Sequence, residues 1–192
     1  GLCQLGGTYH VFHQYSPDWP EAGAPRGWGH FASDDLVHWR AVGDGFAIAP
    51  DTPDEASGAY SGCAVPVEGG VRLYYTGNVK EAGDFDYVRD GRRSVQILIE
   101  SPDGCQMGEK NVLLRNADYP AFCTRHVRDP KVWRGNGAWW MILGARDLDD
   151  RGLVLKLRSD DGVAWENAGA ARTAEPFGFM WECPDRVALG DS

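Results

Sequence analysis

The chain has 192 residues, 28 acidic against 19 basic, and a formal net charge of −9. An acidic surface repels phosphate backbones and anionic lipid, which argues against nucleic acid and membrane surfaces as partners. With 43% apolar and 24% charged residues the chain is globular rather than disordered, and no apolar run approaches the ~20 residues of a membrane-spanning helix.

Eight Trp and 25 Gly suit short aromatic strands joined by tight turns. In chain order, strands are predicted at 8–12, 71–75, 94–99, 138–143 and 153–157. A glycine-rich turn precedes three of them, at Gly6-Gly7, Gly69-Gly70 and Gly135-Asn136-Gly137. A Ser-x-Asp element then follows in each unit: Ser33-Asp34-Asp35, the weaker Ser101-Pro102-Asp103, and Ser159-Asp160-Asp161. Ser and Asp cap such turns with side-chain hydrogen bonds. Trp39 and Trp165 then open the next strand.

The three serines stand 68 and 58 residues apart. A period near 60 residues with several strands per unit marks an all-β chain as a β-propeller. About three blades are present. A fourth unit is expected to begin at 186–191. Known rings have about 4–8 blades, so residues 1–192 read as a partial propeller domain. An open arc of this kind should be marginal as an isolated unit. A β-sandwich of about ten strands would account for the strands but not for the repeat.

The five cysteines are Cys3, Cys63, Cys105, Cys123 and Cys183. Their odd number and the lack of C-x-x-C spacing argue against a disulfide framework and a zinc site. Most of them read as buried thiols in a reducing, cytoplasmic setting. No signal-peptide pattern opens at Gly1. The five histidines read as hydrogen-bonded structural groups. The spacing implies no metal and no cofactor.

Three polar motifs are embedded in aromatic or glycine-rich strand ends, where a propeller channel places chemistry. They are Trp28-Gly29-His30, Arg128-Asp129-Pro130 just ahead of a strand, and Trp181-Glu182-Cys183-Pro184-Asp185. An acid beside Trp and Cys is expected to be desolvated, which raises its pKa and suits a general acid. A carboxylate beside Arg is expected to stay ionised. Two carboxylates in unlike environments, framed by Trp, suggest glycoside hydrolysis.

In order and spacing these motifs resemble glycoside hydrolase family 32. The resemblance rests on Phe12-His13-Gln14-Tyr15-Ser16-Pro17, Trp28-Gly29-His30, the 33–39 element, Tyr60-Ser61-Gly62 and Tyr75-Thr76-Gly77, besides the Arg-Asp-Pro and Trp-Glu-Cys-Pro motifs. It covers nearly the whole chain. It implies a five-bladed propeller followed by a C-terminal β-sandwich, and a retaining mechanism on a β-fructofuranosyl group. Glu182 would be the general acid/base. Asp129 would bind fructosyl hydroxyls and stabilise the transition state, helped by Arg128. Gln14, Trp28, Tyr60 and Ser61 would line the fructose pocket, and Cys183 would tune the neighbouring acid. Tyr60 departs from the Phe that the family often carries.

The family's nucleophile is an Asp in a W-M-N-D-P-N-G motif whose final Gly matches Gly1. That Asp would stand three residues before Gly1, and no residue of the chain takes its place. Residues 1–192 alone are therefore expected to be inactive. Asp18, Asp34 and Asp35 read as solvated or turn-capping. The resemblance implies a small-molecule sugar or fructan as partner, and leaves oligomeric state open. Sucrose, sucrose 6-phosphate and fructans share the fructosyl end. Arg89, Arg92 and Arg93 form a basic run that a phosphate could use, though such runs are commonly solvated loops. A non-catalytic sugar-binding propeller, an interaction scaffold, and an arabinofuranosidase of a neighbouring five-bladed family are the competing readings. A retained Glu182 argues against the first, the coexistence of Arg-Asp-Pro and Glu-Cys with pocket aromatics against the second, and the Phe-His-Gln-Tyr and Trp-Glu-Cys-Pro motifs against the third.

Overall fold

The computed structural model describes residues 1–21, 23–187 and 189. These form three four-stranded antiparallel sheets, each running in chain order. Blade one is β1 (Leu2–Leu5), β2 (Thr8–Tyr15), β3 (Gly27–Ser33) and β4 (Arg40–Ala41). Blade two is β5 (Ala59–Val67), β6 (Gly70–Lys80), β7 (Arg92–Ser101) and β8 (Asn111–Leu114). Blade three is β9 (Cys123–Gly135), β10 (Ala138–Asp147), β11 (Gly152–Ser159) and β12 (Glu166–Ala171). Every strand expected from sequence lies inside one of these. The fourth unit is not seen: Arg186 and Val187 form no strand, and Ala188, Gly190 and Asp191 lie outside the described residues.

The repeat has a structural meaning. The glycine turns join the first two strands of each blade. Leu5 pairs with Thr8 and Gly135 with Ala138, so each loop has two residues. Gly6, Gly7, Asn136 and Gly137 all have positive φ, between 52° and 91°. That is type I′ geometry, which matches the twist of the flanking strands. The Ser-x-Asp elements join the third strand of each blade to the fourth. Ser33 Oγ accepts from Leu36 N (2.9 Å) and Ser159 Oγ from Gly162 N (2.8 Å). Asp35 Oδ1 accepts from Val37 N and His38 N, Asp103 Oδ1 from Cys105 N and Gln106 N, and Asp161 Oδ1 from Val163 N and Ala164 N. The weaker second element therefore makes the same turn. Its interval is longer because the 42–58 and 81–91 loops fall within it.

These caps predict a pH dependence. The N–H groups of Val163 and Ala164 hold the Asp161 carboxyl down at about 2. A depressed carboxyl stabilises the fold above its unfolded pKa of about 4, and the gain is lost as pH falls through the folded value. Asp161→Ala should lower Tm at neutral pH, with the gap to wild type closing as pH approaches about 2. Thermal scans across this range test it, and a gap independent of pH would reject it.

The apolar core lies between blades. Phe12, Trp28 and Ile48 pack on Leu73, Tyr75 and Ile97 at the first seam. Tyr74, Leu98 and Leu114 pack on Val132, Met141 and Leu155 at the second. β6 and β10 are buried along nearly their whole length because neighbours cover both faces, whereas β12 is exposed throughout. All five cysteines are free; Cys63 is buried, but Cys105 and Cys183 are exposed, against expectation. No helix is long and apolar enough to cross a membrane among the described residues.

Candidate active site

The first strands of the blades stand side by side, with β5 beside both β1 and β9. There they border a cleft of about 590 Å³. Gln14, Trp28, Tyr60, Ser61, Arg128, Asp129, Glu182 and Cys183 all line it. Gln14 and Trp28 are directly opposed on β2 and β3. The Trp28 indole N–H donates to Tyr60 O (2.8 Å), tying blade one to blade two beside the cleft.

Two β-bulges aim the remaining side chains. On β5, three steps from Ala59 to Gly62 oppose two on β6, from Gly77 to Tyr75. The extra residue falls at Tyr60-Ser61. On β9, three steps from Arg128 to Lys131 oppose two on β10, from Gly144 to Ile142. Asp129 sits in this bulge at φ 63°. Bulges interrupt a ladder and re-aim side chains next to functional sites. The bulge also accommodates Pro130, which has no N–H to offer a strand. Arg128-Asp129-Pro130 thus lies within β9 rather than ahead of it, a correction to the sequence reading.

The two carboxylates occupy the reverse of their expected environments. Asp129 is 6% exposed. Burial pushes its carboxyl above the usual range, against the opposing pull of the Cys183 N–H and of Arg128. Glu182 has a side chain 59% exposed and receives Arg128 Nε (2.9 Å) and Nη2 (2.6 Å) on one oxygen. The guanidinium therefore pairs with the distant acid, not with its chain neighbour. The reason is the bulge: it turns Asp129 inward, where its backbone N–H donates to Thr76 Oγ1 (2.9 Å). Cys183 serves Asp129 as well. Its N–H donates to Asp129 Oδ2 (2.9 Å), with its thiol 3.6 Å from the same oxygen.

The segment that carries Glu182 rests on two glycines of blade three. A Cβ on Gly144 would lie 2.2 Å from the carbonyl oxygen of Trp181, and one on Gly152 2.2 Å from its indole. Backbone cannot yield there as a flexible side chain would. Gly144→Ala should displace Glu182 and, in protein containing this domain, slow any reaction that depends on it by more than about tenfold, since misplacement near 1 Å can cost ~10². Unaltered kinetics in a folded Gly144→Ala protein would show that the segment moves freely.

Lys131 and Arg26, which line the cleft, and His126, which contacts one of its residues, were not assigned to the site from the sequence. His126 is buried and its Nδ1 lies 3.1 Å from Arg128 Nη1, behind the Arg128–Glu182 pair. Burial, then the arginines around it, lower its pKa to about 4, so it is neutral. Lys131 lines the cleft and pairs with Asp185 at 2.7 Å. Lys131 directly continues the Arg128-Asp129-Pro130 motif that carries the resemblance, although that motif gave it no role of its own. Arg26 also lines the cleft. The basic run divides: Arg89 pairs with Asp150, Arg93 with Glu81, and Arg92 reaches Tyr60 Oη (3.3 Å) from behind. His30 and Asp18, Asp34 and Asp35 do not line the cleft. The five histidines are hydrogen-bonded through His10–His30, His13–Gln14 O, His38–Asp35 and His126–Arg128.

Fold and cleft together define a partial β-propeller domain whose cleft brings Asp129 and Glu182 together. The chain belongs to glycosyl hydrolase family 32, whose N-terminal domain model matches residues 1–192. It is 40% identical to a sucrose-6-phosphate hydrolase of Klebsiella pneumoniae, with all of this chain covered and 40% of that protein. The structure of a sucrose-6-phosphate hydrolase from Lactobacillus gasseri superposes with a TM-score of 0.80 at 33% identity, over 94% of this chain and 35% of that one. The Bombyx mori family 32 β-fructofuranosidase BmSUC1 gives 0.79 at 31% identity, over 99% of this chain and 38% of that one. The chain thus spans about two fifths of the length of these relatives.

Proposed function

We propose that the protein containing this domain hydrolyses terminal β-D-fructofuranosyl residues from sucrose, sucrose 6-phosphate or fructans, with retention of configuration. The observation that carries this reading is convergence. Eight residues spread from position 14 to position 183, the ones the family resemblance assigns to the site, line one cleft. Gln14, Trp28, Tyr60 and Ser61 hold the fructosyl ring. Glu182 protonates the leaving oxygen and then activates water. Asp129 receives ring hydroxyls and opposes the positive charge that develops at the anomeric carbon. Arg128 holds the Glu182 carboxylate, and the bonds of Cys183 to Asp129 make Asp129 the acid that this thiol tunes. Gly1 lines the cleft, so the family's nucleophile, three residues upstream, would enter the same space.

A phosphate on the leaving sugar needs a cation at the cleft. Arg26 lines it and takes part in no ion pair among the described residues. This supports sucrose 6-phosphate as the substrate. The test is kcat/KM for fructose release from sucrose and from sucrose 6-phosphate, in protein containing this domain. A higher value for the phosphate ester that is lost in Arg26→Gln supports the assignment. Sugar binding with no release of fructose from either compound would move the reading to a sugar-binding propeller.

A further inference from the structure

The first blade seam holds a second cluster of reactive side chains, none of which lines the cleft. His10 on β2 and His30 on β3 are 4% and 3% exposed. His10 Nδ1 and His30 Nε2 lie 3.0 Å apart. Cys105 comes from blade two, in the turn capped by Asp103. One donor atom from each of the three lies within 4.8 Å of the others. The turn presses on the pair: a Cβ on Gly104 would be 2.9 Å from His10 Nδ1.

The repeat supplies an internal comparison. Tyr9 pairs with Ser33 and Val71 with Ser101, which places His10 and Phe12 where blade two has Arg72 and Tyr74. At the second seam Arg72 Nη1 donates to Asp161 O (2.6 Å) and Tyr74 Oη to Gly162 O (3.0 Å). Those bonds tie the third blade's turn to blade two. At the first seam no side-chain hydrogen bond joins His10 or Phe12 to the corresponding turn among the described residues. Instead two imidazoles meet a thiol, and Cys105 stands where the other two turns have Val37 and Val163. His30 Nδ1, buried, has no hydrogen-bond partner.

We propose that His10, His30 and Cys105 form a divalent-metal site of the zinc class that staples blade one to blade two. Two imidazole nitrogens and a thiolate are a donor set that suits Zn²⁺, with the fourth position left to water. Zn–N bonds of about 2.0–2.1 Å and Zn–S of about 2.3 Å put tetrahedral ligands roughly 3.3–3.7 Å apart. The imidazole nitrogens need little adjustment, and the exposed thiol must move in by about 1 Å on that geometry. On binding, the thiol proton leaves to solvent. The proton shared by the two imidazoles moves to the outer nitrogen of its own ring. The ligands stand at 10, 30 and 105 in two blades, so no spacing rule reveals them.

The site is independent of the proposed activity, and its test does not read activity. Chelator-treated protein containing this domain is titrated with Co²⁺ as a spectroscopic probe, and with Zn²⁺ by calorimetry. One equivalent should bind, with tetrahedral d–d bands and a thiolate-to-cobalt charge-transfer band, and Zn²⁺ should raise Tm by several degrees. Cys105→Ser, at an exposed position, should keep the fold, lose the charge-transfer band and the Tm response, and bind Zn²⁺ at least about tenfold more weakly. Cys183→Ser should keep the band. A folded wild type without the band, or a band that survives in Cys105→Ser, overturns the proposal.

Discussion

In protein containing this domain, with Glu182 the general acid as proposed, Glu182→Gln should lower kcat/KM for sucrose by about 10²–10⁴-fold, the usual contribution of such a group. The substitution is close to isosteric. The amide oxygen can still accept from Arg128 Nε, now 2.9 Å from Glu182 Oε1, so the fold should be unaffected. The loss should depend on the leaving group. An aryl fructoside with an acidic phenol departs without a proton, so its first step should be nearly as fast as in wild type. The second step still needs a base to activate water. A burst of phenol followed by slow turnover is therefore expected, and azide, which attacks without a base, should restore turnover. A Glu182→Gln enzyme that hydrolyses sucrose as wild type does would remove Glu182 from the chemistry.

In protein containing this domain, with the role proposed for Asp129, Asp129→Asn should depress kcat for sucrose by about 10²–10³-fold, with a smaller change in KM. Its charge matters most where positive charge develops, which is the transition state. The side chain's shape and its bond from Cys183 N (2.9 Å) survive the change, because the amide oxygen can accept it. Stability should go the other way. Burial raises the folded pKa of Asp129. A carboxyl raised on folding binds its proton more tightly in the native state, so its contribution to stability falls as pH rises through the unfolded and then the folded value. At neutral pH the ionised form is a cost to the fold. Asp129→Asn should hold or raise Tm there while activity collapses, the trade-off expected of a strained functional group. A variant with lowered Tm and unchanged kcat would make Asp129 a structural residue.

Much of this was legible in the residues. Gly6-Gly7 and Asn136-Gly137 can only be tight hairpin loops between apolar alternations, and the structure has them there. Ser159-Asp160-Asp161 and its two counterparts carry their own hydrogen-bond acceptors, so each turn forms from local chemistry alone. Even the cleft residues could be named, because their motifs match a family in order. What these residues do to one another was not legible. Adjacent letters Arg128 and Asp129 suggested an ion pair, and the structure gives the guanidinium to Glu182, 54 residues on. Cys183 looked like a neighbour of Glu182 and instead bonds to Asp129.

The distinction follows from the range of the forces involved. Turn chemistry, strand alternation and the 60-residue repeat are short-range properties, and the chain by itself determined them, along with which side chains are available for chemistry. Bulges on β5 and β9 depend on a partner strand that is one residue shorter, so they exist only when the sheet has formed. The burial of Asp129, the exposure of Glu182, the seating of Trp181 on Gly144 and Gly152, and the meeting of His10 and His30 with Cys105 all require blades to pack. Desolvation, charge pairing and metal-ligand geometry act across a few ångströms of space whatever the distance along the chain, and tertiary structure alone decides which groups come that close.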